Sequence, residues 1–405
     1  MGPPMRELLT VEEYSEELLG LVTASVGAEQ LAVRDSVGRV LAEDVVSRVS
    51  IPVFDNSAMD GYAVRYDDIW SPPVPLRVVG DVPAGSGDDP ETSFGECVRI
   101  MTGAALPTFA DTVVPVEQTR PGLDGDVVVL EVGLRGAHVR RAGEDVLRGA
   151  LVARAGQVVT PGLTGALAAV GATQVSVRRR PVVAVCATGD ELVGDGATLR
   201  RGQIYESNSV VVATSLEQHG AEVCSVGLVG DEPERLVDYL DGMSGTCDLI
   251  VLTGGASVGA YDVVRDVLSE HAAGVFRHVR VQPGKPQGWA VWKGTPVVSL
   301  PGNPVSAVLS VETFVVPMLD HMLGRAASPA YTARAGVGWT SPAGRRQLVP
   351  VRMTTEDGTL LAVPAHSGGS GSHLVTSLAE ADGYAMVPEE ATSVAAGDLL
   401  TVRWL

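Results

Sequence analysis

One short stretch of the chain, residues 55–64 (DNSAMDGYAV), concentrates side chains that can bind a ligand. Two carboxylates, an amide and a hydroxyl lie within its first six residues, with no basic residue among them. Such residues make a poor core and suit a loop that places oxygen ligands at a site. An ordinary Asp-Gly turn leading into a strand would also explain them, so the stretch alone leaves both interpretations open.

Further candidates follow the ends of predicted strands in the second half of the chain. Residues 253–259 (TGGASVG) precede a predicted helix, whose N-terminus can present free N–H groups to an anion, while the glycines permit close backbone approach. Asp262 lies in the first turn of that helix. Asp190 with Glu191, and Asp231, follow two other predicted strands. Hard oxygen ligands that converge in this way suit Mg²⁺, whereas isolated carboxylates would simply cap neighbouring helices.

Candidate cations are few and local. The formal net charge of −19 argues against a general nucleic-acid binder, but concentrated cations can still hold a small anion. The chain has two lysines, and one of them, Lys285, lies between Gly and Pro, where a compact point charge suits an oxyanion. Ser306, in the first turn of another predicted helix, and either Arg345 or Arg346 could complete an anion pocket. Ordinary solvated loops remain an alternative for each.

The elements around these candidates predict an α/β unit. Strands and helices alternate from about residue 181 to residue 323, which indicates a parallel sheet covered on both faces. The predicted strands are 182–187, 222–229, 248–252 and 296–300, and the predicted helices are 210–218, 233–243, 261–269 and 305–323. Ligands in such folds bind outside the carboxyl ends of the strands, which is where the polar motifs lie.

The flanking regions have different patterns. Residues 8–26 predict an amphipathic helix with Thr10 as N-cap and Glu13 completing a capping box. Residues 50–150 contain short apolar runs between turn residues, which is typical of a small all-β unit, and a helix over 163–170 follows. After Pro329 the pattern predicts a small β-barrel or sandwich.

Composition limits the class of protein. The 405 residues are enough for two to four domains, and four scattered cysteines without a Cys-x-x-Cys pair indicate neither a zinc site nor a disulfide framework. A reduced, cytoplasmic chain is therefore expected. The longest uncharged run, residues 155–177, contains Gln, Pro and several Gly, so we expect a strand, a turn and a buried helix rather than a membrane span.

Residues 55–64 closely resemble the signature of the molybdopterin molybdenumtransferases, a family that includes the gephyrin E domain. Residues 253–259 resemble its molybdopterin-binding fold, and the resemblance covers essentially the whole chain, with motifs in the family's order. It implies a multidomain α/β protein with a three-layer, parallel-rich molybdopterin-binding-like domain (179–326). A segmented elongated domain (1–48 and 149–178), an inserted β domain (49–148) and a C-terminal β-barrel (327–405) are expected beside it.

The resemblance also implies an activity in molybdenum cofactor biosynthesis. The enzyme would insert molybdate into adenylyl-molybdopterin with Mg²⁺ and release AMP. A homodimer is expected, with the inserted domain of one subunit facing the α/β domain of the other, and a molybdopterin adenylyltransferase is a possible partner. Neither nucleic acid nor a membrane is expected as a partner.

Individual residues acquire roles by the same resemblance. The catalytic set would be Asp60, Thr102, Asp145, Glu191, Asp231, Asp262 and Lys285, of which Glu191, Asp231 and Asp262 would bind the metal. The substrate-binding set would be Ser57, Thr188, Gly254, Gly255, Ser257, Gly259, Pro301, Asn303, Ser306, Arg345 and Ser372. His373 beside Ser372 is as well explained as an ordinary loop histidine as it is by catalysis.

Two departures from the family's pattern concern cations. Many members have Lys at the position of Gln282 and a second Arg near Pro350, so a weaker or differently built anion site is expected here. Two rival functions remain at this point. One is molybdopterin adenylyltransferase, which shares the Thr-Gly-Gly fold but normally lacks the 55–64 signature and the flanking β domains. The other is a non-catalytic paralogue or scaffold that binds molybdopterin.

Overall fold

The computed structural model describes residues 8–22, 25–194, 196–254, 263–366 and 371–405. This part of the chain contains three six-stranded sheets and, separate from them, five two-stranded sheets. One sheet forms the centre of an α/β unit. A second lies earlier in the chain, within residues 61–129, and the third forms the C-terminal barrel. The multidomain α/β fold class expected from the sequence is therefore confirmed.

The central sheet is mixed rather than fully parallel. Its strand order is Glu222–Val229, Val182–Thr188, Leu249–Thr253, Thr295–Leu300, Pro286–Trp292 and Val275–His278. The first four strands are parallel, as predicted, but the last two pair in antiparallel fashion. The sequence analysis did not predict these two strands. A tight turn at Lys293 and Gly294, whose φ angles are 46° and 90°, joins Pro286–Trp292 to Thr295–Leu300. Such a turn joins neighbouring strands as a hairpin.

Helices cover both faces of this sheet. Successive residues of one strand serve opposite cores, since Val183 and Val185 pack on one side and Ala184 and Cys186 on the other. The first side holds Val11–Leu19, Asn208–Gln218, Pro304–Ser310 and Val316–Leu323, with a π-helical turn over Val311–Val315; the second holds Pro233–Met243 and Val263–His271. Helix Pro304–Leu323 is long and apolar enough to cross a membrane, but 83% of its apolar window is buried in the core.

The first helix begins as predicted and ends early. The Thr10 hydroxyl accepts the Glu13 N–H at 3.1 Å, and the Glu13 carboxylate accepts the Thr10 N–H at 2.8 Å, which completes the capping box. The helix ends at Leu19, before the predicted residue 26, because Gly20 forms its C-cap.

The segments on either side of the inserted region pair with each other. Strand Ala28–Ala32 pairs with Gln174–Arg178, and Val45–Val46 pairs with Leu151–Ala153, in both cases antiparallel. Helix Pro161–Ala169 packs in the same core. The chain therefore leaves this unit and returns to it after the inserted region.

The inserted region is all-β, as its short apolar runs predicted. Its sheet has the order Thr112–Pro115, Gly61–Val64, Glu96–Ile100, Val74–Val82, Val127–Val129 and Thr119–Pro121. Asn56–Ser57 and Val139–Arg140 form a separate pair beside it. Its apolar residues fill two compact cores.

The C-terminal region is a closed barrel. The sheet has the order Val281–Gln282, Arg346–Glu356, Thr359–Pro364, Tyr331–Ala335, Leu399–Trp404 and Gly383–Val387. Arg346–Glu356 also pairs with Gly383–Val387, which closes the last five strands into a ring. Strand Val281–Gln282 lies in the α/β segment of the sequence but pairs with the barrel strand Arg346–Glu356. This sheet therefore connects the two units. The pair Trp339–Thr340 and Ser393–Val394 and the short helix Ser377–Glu380 complete the region.

Candidate functional site

A large cavity lies at the carboxyl ends of the parallel strands. Its volume is about 1040 Å³, and its lining includes Thr188 and Thr253, each the last residue of a strand. Asp231 and Pro301 follow two further strands and also line it. This is the place where open α/β sheets bind ligands, because loops from neighbouring strands diverge there.

Ten of the residues selected from the sequence meet in this cavity. They are Thr188, Glu191, Asp231, Gly254, Lys285, Pro301, Asn303, Ser306, Arg345 and Ser372. They come from segments as distant in sequence as residues 188 and 372, so the shared location is a result of the tertiary fold. His373 lines the cavity as well, whereas Pro350 lies buried in a barrel strand and does not.

Three carboxylates line the cavity, those of Glu191, Glu206 and Asp231. Glu206 accepts the N–H and the hydroxyl of Ser209 at 2.8 Å and 2.5 Å, so Glu191 and Asp231 are the candidate metal ligands. The neighbouring Asp190 has a structural role, because its Oδ1 accepts the Asp231 backbone N–H at 2.9 Å and so holds the two strand ends together. No group of three His, Cys, Asp or Glu side chains suitable for a metal occurs among the described residues. The third expected ligand, Asp262, lies outside them.

Buried hydrogen bonds on the core side of the loop fix the backbone that carries Lys285. The fully buried Gln287 donates from Nε2 to the Gly284 carbonyl at 2.8 Å and to Ser310 Oγ at 2.7 Å. Gly284 has a φ of 99°, and a Cβ there would lie 3.0 Å from Ser310 Oγ. A glycine therefore suits both the backbone conformation and the available space. The backbone beside Lys285 is thus fixed by buried hydrogen bonds, and the Lys285 side chain is half-buried.

The structure distinguishes the two adjacent arginines. Arg345 lines the cavity, and its Nη1 donates to Gln282 Oε1 at 3.0 Å. Arg346 instead donates from Nη1 to Glu12 at 2.6 Å, on the first helix. The guanidinium available to a ligand therefore belongs to Arg345.

Asn208 and Thr253 also line the cavity, and of these two sequence reasoning missed Asn208. Asn208 donates from Nδ2 to the Gly302 carbonyl at 2.7 Å, which ties the start of one helix to the loop before another. Its Oδ1 and the Thr253 hydroxyl are buried and have no hydrogen-bond partner within the described part of the chain. Both atoms are also inaccessible to solvent, so they do not face a ligand in the cavity. The position of Asn208 just before a predicted helix was the available signal.

Three family models match successive regions of the chain. Family models described as MoeA N-terminal region (domain I and II), Probable molybdopterin binding domain and MoeA C-terminal region (domain IV) match residues 9–171, 184–321 and 332–404. A protein named Molybdopterin molybdenumtransferase 2 from Mycobacterium tuberculosis (strain ATCC 25618 / H37Rv) is 42% identical over 377 residues, covering 90% of this chain and 92% of the relative.

A second relative and a solved structure cover nearly the whole chain. Molybdopterin molybdenumtransferase from Haemophilus influenzae (strain ATCC 51907 / DSM 11121 / KW20 / Rd) is 32% identical over 399 residues, with 98% of each chain covered. A crystal structure of the molybdopterin biosynthesis MoeA protein from Pyrococcus horikosii has a TM-score of 0.82 and 33% identity, covering 98% of this chain and 99% of that one. The chain belongs to the molybdopterin molybdenumtransferase family.

The cavity of this molybdopterin molybdenumtransferase family member is shared between two matched regions. Most of its lining comes from the region matched by the molybdopterin-binding model, but Arg345 and residues 371–373 come from the MoeA C-terminal region. The site is therefore complete only when the barrel packs on the α/β unit.

Four other selected residues lie in the inserted region and do not line this cavity. Thr102 donates to Asp60 Oδ1 from both its backbone N–H and its hydroxyl, each at 2.7 Å. These bonds lower the pKa of the exposed Asp60 carboxyl, the backbone donor contributing most. Asp145 is exposed, and its N–H bonds the Ile51 carbonyl at 3.0 Å. Ser57 is fully buried and donates from its hydroxyl to the Met59 carbonyl at 2.6 Å.

Much of the 55–64 signature supports the fold locally. Asp55 accepts the Ala142 N–H at 2.8 Å and Arg141 Nη1 at 2.6 Å, and these contacts lower the pKa of its carboxyl. A Cβ at Gly61 would lie 2.1 Å from the Val114 carbonyl oxygen, so strand pairing requires glycine there. The turn-and-strand interpretation thus describes residues 60–64, while Asp60 stays exposed at its start.

Four selected residues, Gly255, Ser257, Gly259 and Asp262, lie outside the described residues, so their roles stay predictions.

Proposed function

We propose that this protein is a molybdopterin molybdotransferase of molybdenum cofactor biosynthesis. It inserts molybdate into adenylyl-molybdopterin, releases AMP and yields Mo-molybdopterin. The observation that carries the proposal is one cavity whose lining combines the carboxylates Glu191 and Asp231 with the cations Lys285 and Arg345. The names of the relatives and the family membership support the same reaction class.

The cations of the cavity suit molybdate. Molybdate is a tetrahedral dianion, and Lys285 and Arg345 supply a point charge and a planar donor fork for it. The half-buried position of both side chains limits the screening of their charges by solvent.

The carboxylates suit a divalent cation beside phosphate. Glu191 and Asp231 are hard oxygen donors of the kind Mg²⁺ prefers, with Asp262 proposed as the third. When bound, Mg²⁺ would polarise the phosphoanhydride and stabilise the departing AMP. Asp190 keeps Asp231 in place through the backbone N–H described above.

The remaining parts of the proposal concern assembly and location. We propose a homodimer in which Asp60, Thr102 and Asp145 face the cavity of the partner subunit, because their exposed positions lie on a different unit from the cavity of their own chain. We also propose a cytoplasmic location and contact with a molybdopterin adenylyltransferase. The domain boundaries given in the sequence analysis are part of the same proposal. The four free thiols are compatible with a reducing compartment.

The rival functions are less well supported. An adenylyltransferase has no need of the N-terminal and C-terminal regions, which this chain shares with its relatives over nearly its full length. A scaffold without turnover has no need for both charge types around one cavity.

The deciding experiment is AMP release from purified adenylyl-molybdopterin with Mg²⁺, with and without micromolar molybdate. The proposal expects molybdate-dependent AMP release together with a cofactor that activates an apo-molybdoenzyme. Binding without release would support the scaffold. Adenylylation of free molybdopterin by ATP would support the adenylyltransferase.

A further inference from the structure

The contact between Gln282 and Arg345 joins two units of the protein at the cavity. Gln282 belongs to the chain of the α/β unit and Arg345 to the barrel, and both line the cavity. Arg345 Nη1 donates to Gln282 Oε1 at 3.0 Å, which is an ordinary hydrogen-bond length. Nη1 is thereby occupied, and no other hydrogen bond of this guanidinium is found within the described part of the chain.

Backbone pairing sets this contact. Strand Val281–Gln282 lies parallel to the barrel strand that begins at Arg346, with Gln282 opposite Gln347. The Arg346 N–H donates to the Arg280 carbonyl at 2.8 Å, immediately beside the side-chain contact. Since both backbones are fixed, the Gln282 amide has a defined position from which to orient Arg345.

The nearby cations are paired differently. Arg346 contacts Glu12 at 2.6 Å, and Arg280 contacts Glu389 at 3.8 Å, so a carboxylate offsets each of these charges. The acceptor for Arg345 is a neutral amide instead. A carboxylate at residue 282 would hold the guanidinium equally well but would repel an anion and offset the positive charge.

We propose that Gln282 is a positioning residue that orients Arg345 toward a tetrahedral oxyanion while leaving its full positive charge to that anion. The oxyanion is identified as molybdate, and this part rests on the proposed function. Gln282 thus acts through Arg345, and its neutrality matters as much as its hydrogen bond.

A double-mutant cycle on molybdate binding tests this coupling. Equilibrium dialysis of the full-length protein with molybdate alone would compare the wild type, Gln282→Met, Arg345→Gln and the double variant. Gln282→Met keeps the side-chain length and removes the acceptor, and we expect about tenfold weaker binding, the typical effect of losing one charge-assisted hydrogen bond. In the Arg345→Gln background the same change should have no further effect. Gln282→Glu should weaken binding at least as much as Gln282→Met.

Controls separate positioning from structural damage. Arg346→Gln removes the same charge one residue along the chain, from a side chain paired with Glu12, and should leave the molybdate affinity within about twofold. If Gln282→Met fails to fold, Gln282→Glu, which retains the acceptor, provides the test through weakened molybdate binding at an unchanged melting temperature.

Several results would overturn the proposal. They are additive effects of the two substitutions, unchanged affinity in Gln282→Met, or tighter binding in Gln282→Glu. A wild-type protein that binds no molybdate would also overturn it. Binding that follows the expected series in a protein that releases no AMP would contradict only the proposed function, so the two failures are distinguishable.

Discussion

The candidate metal-binding carboxylates and the cations of the cavity reach it by different routes. Glu191 and Asp231 follow two neighbouring parallel strands, Val182–Thr188 and Glu222–Val229, so the sheet alone brings them together. Lys285 lies just before an antiparallel strand, and Arg345 comes from the barrel. The acidic part therefore depends on one sheet, whereas the basic part depends on a hairpin and on packing between two units.

The two parts also differ in how they are supported. Asp231 is held by a backbone hydrogen bond to an exposed carboxylate, Asp190. The Lys285 loop rests on the buried amide of Gln287 and the Ser310 hydroxyl. Removing one partner of a buried hydrogen bond leaves the other unsatisfied, so substitutions of Gln287 or Ser310 should lower stability. Substitutions of Glu191 or Asp231 should instead affect the reaction rate.

The largest expected effect concerns the carboxylates. Asp231→Asn removes a metal-binding charge and keeps the side-chain shape, so we expect molybdate-dependent AMP release to fall by roughly 100-fold or more, with little change in melting temperature. A matched control is Glu232→Gln, which removes the same charge at the next residue, in an exposed pair with Arg235. Equal rates for Asp231→Asn and the wild type would remove Asp231 from the chemistry.

The two lysines allow the next test. Lys285→Met should raise the molybdate concentration required for half-maximal AMP release by about tenfold or more, because a charge facing the anion is lost. Lys293→Met is the control, since Lys293 lies in the hairpin turn and pairs with Asp241 at 2.7 Å. A similar rise in both variants would mean that net charge, rather than the position of Lys285, governs anion binding.

The hydrogen bonds that hold the Lys285 loop should contribute to the free energy of unfolding. Gln287→Met removes two buried hydrogen bonds and should lower the free energy of unfolding by about 1–3 kcal/mol, measured by urea denaturation, and also raise the molybdate requirement. Ser310→Ala leaves the bond from Gln287 to the Gly284 carbonyl at 2.8 Å, so its effect should be smaller, at about 1 kcal/mol. The reverse order would contradict the role given to the Gln287 amide.

The smallest expected effect lies in the inserted region. Thr102→Val removes the hydroxyl donor to Asp60 but keeps the backbone donor, so the pKa of Asp60 should rise part of the way toward its ordinary value. Thr102→Ser, which retains a hydroxyl, should leave that pKa low. A carboxyl-detected NMR titration measures both. An unchanged pKa in Thr102→Val would show that the backbone bond alone lowers it.

The parallel part of the α/β core was predicted closely because its signals are local. Strand Glu222–Val229 and helix Pro233–Met243 have the bounds expected from the sequence, since an apolar run, a Gly-Asp turn and a proline mark them. The family membership followed from motifs of the same local kind. The acidic residues Glu191 and Asp231 were selected because they follow the ends of predicted strands.

Tertiary structure decided the features that local patterns do not encode. The hairpin strand Pro286–Trp292, the choice of Arg345 over Arg346, and the hydrogen bond from Asn208 to Gly302 depend on contacts between residues outside any one local pattern. The same holds for Ser57, whose hydroxyl is used inside the fold and does not face the cavity. Periodicity and turn residues determine elements one at a time, whereas a site needs the register and packing between elements, which are properties of the whole chain.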